Sequence, residues 1–266
     1  MRQSGKRGKM LKIERQNIIS QQLSTQGFVL VPEMSSLLRC SEETIRRDLK
    51  EMEREGKLVR THGGAYQAEK YDKTYPMELR KVQNHRTKEK FAEHALDYIK
   101  DNDMIMLDSS STCLALAEAI VAHSMSITLI TNSFAICRLC HENNTEINLI
   151  CVGGAYRKRT SAFADPNTVD ALKSYHADKS FISCPNLTIE FGLSDNHISE
   201  ANVRKQMIIQ SEKRFLLVDH EKFDVSANSP FDGLEKIDYL FTNQRLSPEW
   251  KKYAADHDIT IEYIDG

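Results

Sequence analysis

The sequence predicts an α/β protein of two parts: a small helical module at the N-terminus and a larger, mostly parallel α/β domain after it. The chain has 266 residues, which fits one domain of under a hundred residues and one of nearly two hundred. From residue 104 onward, short apolar runs alternate with helical segments. Charge is divided in the same way, because residues 1–64 hold 13 Lys+Arg against 8 Asp+Glu, whereas the remainder is acidic.

Composition narrows the class of protein further. Hydrophobic residues make up 40% and charged residues 28% of the chain, which is typical of a globular protein. No apolar run approaches the ~20 residues that span a bilayer, and the basic residues 1–9 lack the apolar stretch of a secretory signal. We therefore expect no membrane association, a cytoplasmic location and six reduced cysteines. A basic end on an acidic body predicts that this end meets a polyanion.

The first two helices are predicted from apolar spacing and end signals. Apolar residues at helical spacing form one stripe of the first helix: Leu11, Ile18, Ile19 and Leu23. Gln26-Gly27 ends that helix. Val31-Pro32-Glu33 begins the second, because proline is tolerated in a first turn and glutamate is favoured there. Its predicted buried face consists of Met34, Leu37 and Leu38.

The third helix carries the functional signal of this module. Ser41 is a good N-cap, and two glutamates follow it in the first turn. The predicted inner face is Ile45, Leu49 and Met52, and the opposite face is basic, with Arg47, Lys50 and Arg54. Such a helix fits the major groove of DNA. A protein-interaction module with a solvated basic face is the alternative that the charge pattern alone leaves open.

A strand and a turn follow the third helix. Gly56 ends the helix, residues 57–60 are predicted as a strand, and residues 61–65 as a turn. Three helices followed by this β element predict a winged helix-turn-helix, whose wing would reach phosphates or the minor groove. The expected DNA contacts along the helix, strand and turn are Ser41, Thr44, Arg46, Arg47, Lys50, Arg60 and His62. Asp48 is expected to be structural and to pair with Arg15.

The spacing of Arg15, Ile19 and Leu23 with Ser41 and residues 44–49 resembles the signature of the DeoR family of bacterial transcriptional regulators. Residues 62–65, His-Gly-Gly-Ala, are similar to that family's wing. The resemblance implies sequence-specific DNA binding by residues 1–65, in which arginine reads guanine and Ser or Thr positions the backbone.

Residues 66–83 lack clear periodicity and are predicted to be a linker to a second domain at 84–266. Apolar runs predict strands at 104–107, 127–130, 147–152, 179–183, 214–218, 239–242 and 260–263. Helices are predicted between them, with one over Glu200–Ser211. Ligands of parallel α/β sheets bind beyond the carboxyl ends of the strands. Polar residues follow the first predicted strand, where hydroxyls and amides of residues 109–112 could form an anion cradle or simply an ordinary helix cap.

These strand-end residues resemble the sensor domain of the same family, whose fold is similar to ribose-5-phosphate isomerase. The resemblance implies a phosphorylated-sugar effector with its phosphate on the 109–112 turn. The implied effector-binding residues are Asp108, Ser109, Ser110, Ser111, Thr112, Thr131, Asn132, Gly153, Gly154, Arg157, Lys205 and Lys222. Three departures from the family pattern point to a different ligand or to none: Ser110 where glycine is usual, Asp165 near a position where glycine is common, and the stretch 183–186 in place of a smaller one that contains glycine.

The resulting hypothesis is a homo-oligomeric transcriptional repressor of carbohydrate genes, relieved by a phosphorylated sugar. The alternative is an isomerase-like enzyme fused to a DNA-binding domain, with Asp108, Glu200 and Lys222 transferring protons; fold analogy alone does not confer activity, so no enzymatic function is expected. A purely architectural DNA-binding protein would not need the large acidic body. Residues 137–141, Cys-Arg-Leu-Cys-His, match haem-attachment spacing by chance, and neither cofactor nor metal is expected.

Overall fold

The structure is a computed structural model that describes residues 10–67, 74–143 and 145–264. The chain divides into two compact units, Met1–Gln83 and Asn84–Gly266. Each unit has its own hydrophobic core. No helix in the described part of the chain is both long and apolar enough to cross a membrane.

The first unit contains four helices and a three-stranded antiparallel sheet of order β1-β3-β2. Its helices are α1 (Lys12–Gln26), α2 (Val31–Leu38), α3 (Glu42–Arg54) and α4 (Met77–Val82). Its strands are β1 (Phe28–Leu30), β2 (Val59–Arg60) and β3 (Gly64–Tyr66). The predicted winged helix-turn-helix is confirmed, with the addition of β1, which is too short to show a period.

The ends of these helices follow the predicted signals. Gly27 ends α1 in a left-handed conformation, with φ of 86°, and its N–H donates to the carbonyl of Leu23. Pro32 lies in the first turn of α2. Leu37 was predicted to be buried but is 55% exposed, because α2 turns Val31, Met34 and Leu38 toward the core instead.

Residues 66–83 were predicted to be a linker without regular structure, and the described part of this stretch is more ordered. Tyr66 belongs to β3, and α4 buries Met77 and Leu79 within the first unit. A helix of six residues is too short for its periodicity to be read from sequence. Residues 68–73 lie outside the described residues.

The second unit is built on a seven-stranded, wholly parallel sheet of order β15-β14-β12-β9-β4-β5-β6. Its strands are β4 (Met104–Leu107), β5 (Thr128–Thr131), β6 (Asn148–Cys151), β9 (Ala177–Ile182), β12 (Ser211–Leu217), β14 (Tyr239–Thr242) and β15 (Thr260–Tyr263). Strands covered on both faces are expected to be near-continuous apolar runs, and β4 and β14 are. The prediction of a mostly parallel α/β domain is confirmed.

Six helices accompany this sheet: α5 (His85–Leu96), α6 (Ser111–Ala122), α7 (Phe134–Glu142), α8 (Pro166–Leu172), α9 (Ile198–Ile209) and α10 (Pro248–Asp256). Two short 3₁₀ turns occupy His220–Lys222 and Leu234–Lys236. Two small antiparallel sheets complete the unit, formed by β7 (Tyr156–Arg157) with β8 (Ala162–Phe163), and by β10 (Asn186–Thr188), β11 (Gly192–Asp195) and β13 (Ser229–Asp232). These small strands and α8 were not predicted.

Candidate DNA interface and effector site

Helix α3 is held against α1 by a buried ion pair. Arg15 donates from Nε to Oδ2 of Asp48 at 2.7 Å and from Nη2 to Oδ1 at 3.1 Å, and both side chains are at least nine-tenths buried. The hydrogen bond to Asp48 raises the pKa of Arg15. The predicted pairing is therefore confirmed, and it fixes the orientation of α3 relative to α1.

The outer face of α3 is basic and exposed. Arg47 and Lys50 are exposed, and among the described residues no side chain pairs with either. The apolar residues of the same helix, Ile45, Leu49 and Met52, are each at most 1% exposed. The two predicted faces of the helix are thus both present, and two of the predicted DNA contacts have free cationic groups.

Arg46 contacts the wing instead of pointing freely outward. Its Nη1 donates to the backbone carbonyl of His62 at 2.8 Å, and its Nη2 donates to Oε2 of Glu42 at 3.1 Å. Side-chain exposure of the Arg46–Glu42 pair is above 40% for both partners, so the pair contributes little to stability. Arg46 therefore links α3 to the turn between β2 and β3, and the ring of His62 is exposed on that turn.

Arg60 of β2 also forms an ion pair, with Glu53 of α3. Its Nε donates to Oε2 of Glu53 at 2.7 Å, and its backbone N–H donates to Oε1 at 3.0 Å. These bonds from Arg60 lower the pKa of Glu53. The pair fastens β2 to the end of α3, so Arg60 would have to share its guanidinium between Glu53 and DNA.

Ser41 and Thr44 form the N-terminal cap of α3. Oγ of Ser41 accepts from the backbone N–H of Thr44 at 3.3 Å, and the two hydroxyl oxygens lie 2.9 Å apart. Ser41 is exposed and Thr44 half-buried. Both hydroxyls lie at the positive end of the helix, where a phosphate oxygen could also bind.

In the second unit, charged side chains are buried at the carboxyl ends of β4 and β9. The buried polar cluster is defined by residues that are all at most 3% exposed: Asp108, Ser109, Thr160, Asp195, Glu200 and Arg204. Arg204 of α9 is its centre, donating to Oδ2 of Asp108 at 2.6 Å and to the carbonyl of Ser183 at 2.8 Å. It also hydrogen-bonds to Asp195.

The guanidinium of Arg204 is paired with three carboxylates in this cluster. Burial by itself would lower the pKa of Arg204, but the carboxylates of Asp195, Asp108 and Glu200 raise it above its ordinary value. Arg204 therefore stays cationic. Charges taken out of water in this way are tolerated only when they are paired and hydrogen-bonded.

Glu200 connects the cluster to the β7–β8 ribbon. Its Oε1 accepts from the hydroxyl of Thr160 at 2.6 Å and lies 3.2 Å from Nε of Arg157. Its Oε2 accepts from Ser109 at 3.1 Å. Arg157, a predicted effector ligand, is thus a second cation at this site, with 14% of its side chain exposed.

Helix α6 begins beside the cluster. Ser110 is its N-cap, and its Oγ accepts from the N–H of Cys113 at 3.0 Å. Its φ of −75° is ordinary, so this turn does not require the glycine that is usual in the family. Ser111 and Thr112 follow in the first turn, where backbone amides have no intrahelical acceptor. The predicted turn of hydroxyls and amides is therefore present, and Ser110 caps it.

The end of β5 contributes an unsatisfied polar atom. Thr131 donates from its hydroxyl to the carbonyl of Leu107 at 2.8 Å, which ties β5 to β4. Asn132 donates from Nδ2 to the carbonyl of Phe163 at 2.8 Å, while its Oδ1 is buried and has no hydrogen-bond partner. A buried acceptor without a partner is costly, so Oδ1 of Asn132 is a candidate acceptor for a ligand hydroxyl.

Gly153 and Gly154 lie at the end of β6, next to the N-terminus of α8. The carbonyl of Gly153 accepts from the hydroxyl of Thr168 at 2.9 Å. Asp165 caps α8 by accepting from the N–H of Thr168 at 2.9 Å, and this bond lowers the pKa of Asp165. The carboxylate of Asp165 is therefore used by its own helix.

The structure places the two predicted lysines differently. Lys205 is exposed on α9 and lines a groove of about 310 Å³ between α8 and α9, away from the buried polar cluster. The structure therefore does not bring Lys205 into that cluster, since the preceding residue, Arg204, turns inward, and Lys205 as an effector ligand stays a prediction. Lys222 is half-buried, and its positive charge acts to lower the pKa of the Cys184 thiol. Burial of that thiol has the larger effect and raises its pKa to about 12.

Sequence reasoning missed four members of this site: Thr160, Ser183, Asp195 and Arg204. The i, i+4 spacing of Glu200 and Arg204 could have indicated the last of these, because Ala201 and Ile208 set the inner face of the same helix. Thr160 and Asp195 lie in or beside short strands that carry no periodic signal.

Comparison with known proteins agrees with this division of the chain. A model of the DeoR-like helix-turn-helix domain matches residues 15–70, and a model of the DeoR C-terminal sensor domain matches residues 83–244. The chain belongs to the DeoR family. Its parts are accordingly a DNA-binding domain and a sensor domain for a small-molecule effector.

Full-length relatives share this organisation. The chain is 32% identical to the uncharacterized HTH-type transcriptional regulator YulB of Bacillus subtilis, covering 96% of this chain and 98% of YulB. It is 27% identical to IolR of Bacillus subtilis over 94% of this chain and 99% of IolR. It is 32% identical to the L-fucose operon activator of Haemophilus influenzae over 92% and 97%.

Likeness to solved structures is weaker. Ribose 5-phosphate isomerase A from Methanocaldococcus jannaschii is 20% identical, with a TM-score of 0.39 over 53% of this chain and 55% of that one. The relatives that match this chain along nearly its whole length are named as transcriptional regulators or, in one case, as an operon activator. The chain is therefore a transcriptional regulator, and the alternative of an isomerase-like enzyme is not favoured.

Proposed function

We propose that this DeoR-family regulator reads its operator with the exposed face of α3. Arg47 and Lys50 are the free cations of that face, and arginine can bind guanine through two hydrogen bonds. Arg46 and Arg60 act differently in this proposal. Because they bind His62 and Glu53, they hold the wing against α3 and contribute to DNA binding mainly through that position. Ser41 and Thr44 contact the phosphate backbone.

We further propose that the effector is a phosphorylated sugar or a related polyol phosphate. The phosphate would lie at the first turn of α6, where Ser111 and Thr112 offer amides and hydroxyls at a positive helix end. Sugar hydroxyls would reach Oδ1 of Asn132, the one acceptor of this turn region that is buried without a partner among the described residues. Lys222 and Arg157 would supply positive charge at the rim.

Regulation would couple the two domains in a homo-oligomer. A single winged domain covers few base pairs, so two copies on repeated half-sites are needed for specificity. Relatives act in both directions by name: one is the L-fucose operon activator of Escherichia coli and another the HTH-type transcriptional repressor CsqR of Escherichia coli. We propose cytoplasmic repression of carbohydrate genes, with effector binding lowering operator affinity by about 5- to 150-fold.

The observation that carries the proposal is that one chain holds both DeoR domains and that its sensor domain has buried polar groups at the ends of its strands. The test is binding of the full chain to its own promoter region at fixed salt, with and without a panel of sugar phosphates and the parent sugars. Relief by one phosphorylated sugar and not by its parent sugar is the expected result. Relief by unphosphorylated sugars alone would refute the phosphate assignment.

Ser111→Asp is the sharpest variant for this site. An acidic side chain in the first turn favours the helix, whereas a phosphate at the same turn is repelled. Because Ser111 is only 7% exposed, the melting temperature of the variant is measured first, and the effector response is compared for the folded protein. Operator binding should remain and effector response should be lost. Ser111→Ala, which removes the hydroxyl without adding charge, is the matched control and should retain most of the response. Equal responses of the two variants would show that the phosphate does not bind here.

Lys222→Met tests the rim charge in the same assay. The expected result is a weaker effector response with unchanged operator affinity. Lys251→Met, an exposed lysine on α10, is the control for loss of one positive charge and should behave as the parent protein.

A further inference from the structure

Three cysteines lie together at one edge of the large sheet. Cys137 and Cys140 are one turn apart on α7, and Cys151 is the last residue of β6, the edge strand. The two elements pack against each other. From sequence, residues 137–141 match haem-attachment spacing by chance and Cys151 is expected to be a small packing residue, so this grouping was not predicted.

The three side chains differ in their surroundings. Cys151 is exposed, Cys137 is half-buried and Cys140 is buried. The thiol of Cys137 is hydrogen-bonded to the sulfur of Cys151, so these two sulfur atoms are in contact across the helix–strand interface. Cys113 and Cys184, by contrast, are buried in the interior of the same unit.

The contact makes one of the two sulfurs acidic. The hydrogen bond from Cys137 lowers the pKa of Cys151 to about 7, against the opposing effect of partial burial. The same contact, together with burial, raises the pKa of Cys137. The lowered pKa increases the share of Cys151 that is thiolate at neutral pH, the form that reacts with electrophiles, and the neighbouring thiol keeps its proton.

We propose that Cys151 and Cys137 form an oxidisable dithiol site, in which Cys151 reacts with a hydroperoxide and Cys137 completes a disulfide between β6 and α7. Exposure gives the peroxide access to Cys151, and contact gives Cys137 a short path to the oxidised sulfur. Cys140 does not take part, because it is buried on the same helix and is not the hydrogen-bond partner of Cys151.

The chemistry balances with hydrogen peroxide as the only co-reactant. The thiolate sulfur of Cys151 attacks one peroxide oxygen, forming an S–O bond as the O–O bond breaks. The sulfur loses two electrons, and the released hydroxide takes a proton to become water. The sulfur of Cys137 then attacks the sulfenic sulfur, an S–S bond forms, the S–O bond breaks, and the departing hydroxide leaves as water with the thiol proton.

A metal site is the competing use of these sulfurs. Among the residues that the structure describes, no group of three or more His, Cys, Asp or Glu side chains could hold a metal ion. His141 follows Cys140 on the helix but does not join the pair in any such group. Two sulfurs in contact without further ligands fit thiol–disulfide chemistry better than coordination.

The experiment is peptide mapping of the full chain after brief treatment with hydrogen peroxide and alkylation of the remaining thiols. Digestion with trypsin and a glutamate-specific protease separates these cysteines, because Arg138, Glu142 and Glu146 lie between them and Glu118 precedes them. Cys137 is then on peptide 119–138, Cys140 on 139–142 and Cys151 on 147–157. The expected product is a cross-link of peptides 119–138 and 147–157 that dithiothreitol reverses.

Variants make the assignment falsifiable. Cys140→Ser should form the same cross-link at the parent rate. Cys137→Ser should form none and should instead accumulate a sulfenic acid on Cys151 that dimedone traps. A cross-link from Cys140, or dimedone labelling of another cysteine in preference to Cys151, would overturn the proposal, as would a parent protein whose six cysteines all stay reduced.

The pH dependence of alkylation is a second and independent measurement. With a pKa of about 7, the iodoacetamide reactivity of Cys151 should rise about tenfold from pH 6 to pH 8. Cys137→Ala has no side-chain donor, so in this variant the midpoint should move toward the ordinary value of about 8.5. A midpoint at the ordinary value in the parent protein would contradict the proposed activation by Cys137.

Discussion

Removal of Arg204 should destabilise the sensor unit more than removal of any exposed cation. Arg204→Met keeps a side chain of similar length but removes the guanidinium that binds Asp108, Asp195 and the carbonyl of Ser183. All of the carboxylates around it are at most 3% exposed. In the variant, water cannot solvate these groups, and Asp108 loses the guanidinium that it binds.

The magnitude follows from the cost of leaving a buried charge without its partner, about 3–5 kcal/mol. Glu200 keeps Arg157, so the loss is counted once, for Asp108. For a unit of nearly two hundred residues, each kcal/mol moves the melting temperature by about 2–4 °C. Arg204→Met should therefore melt about 6–20 °C below the parent protein.

Trp250 makes this measurable in the full chain. It is the only tryptophan of the sequence, and it lies on α10 of the second unit, where it is 3% exposed and donates from Nε1 to Asp224 at 2.9 Å. Its fluorescence during heating therefore reports the sensor unit and not the DNA-binding unit. The emission maximum should shift to longer wavelength when Trp250 becomes exposed.

The neighbouring residue supplies the matched control. Lys205→Met removes a positive charge from the same helix at an exposed position and should change the free energy of unfolding by no more than about 0.5 kcal/mol. A melting temperature of Arg204→Met within about 2 °C of the parent would refute the reasoning. Equal losses in both variants would show that the helix and not the buried cluster is responsible.

Three further predictions concern the first unit and the glycines. Arg15→Met should speed amide exchange across α3, because Asp48 is left buried at a cost of about 3 kcal/mol; an unchanged exchange rate in α3 would mean that the pair does not hold the helix. Arg47→Ala should weaken operator binding by about 1–3 kcal/mol if Arg47 reads a base, or reduce the slope of affinity against salt concentration by about one ion if Arg47 binds phosphate. Operator titrations at several salt concentrations measure both effects, and an unaltered affinity at every concentration would contradict both roles. Gly64→Ala should abolish operator binding, because the new Cβ would meet the carbonyl of Val29, whereas Gly153→Ala meets nothing and should bind operator as the parent does.

Strand and helix positions of the second unit were predictable because its sheet is parallel. Strands with both faces covered are largely apolar, and this composition placed Met104–Leu107 and Tyr239–Thr242 correctly to the residue. The edge strand Thr260–Tyr263, which is partly exposed, was also placed correctly. The DNA-binding unit was predictable for a different reason. Its capping residue Ser41 and its ion pair between Arg15 and Asp48 belong to a spacing that few other folds require.

The rest depended on contacts between distant residues. Asp195 lies in a short strand with a polar sequence, which has no period to detect, and it is far in sequence from Asp108. Arg204 and Lys205 are adjacent on α9 but lie on different faces of the helix, so Arg204 is buried and Lys205 is exposed. Sequence indicated a cation on this helix but could not choose between neighbours, since the choice depends on which face packs on the sheet.

The arrangement around Arg204 also bears on how such a regulator changes its ligand in evolution. Arg204 donates its hydrogen bonds to the carboxylates of Asp108 and Asp195 and to the backbone carbonyl of Ser183, so Asp108 and Asp195 cannot vary singly without a large loss of stability. Ser111 and Lys222 have no comparable duty among the described contacts and are free to drift. New effector preferences should therefore arise by substitution around a fixed ionic centre, and paralogues with different inducers should differ at the rim before they differ at Arg204.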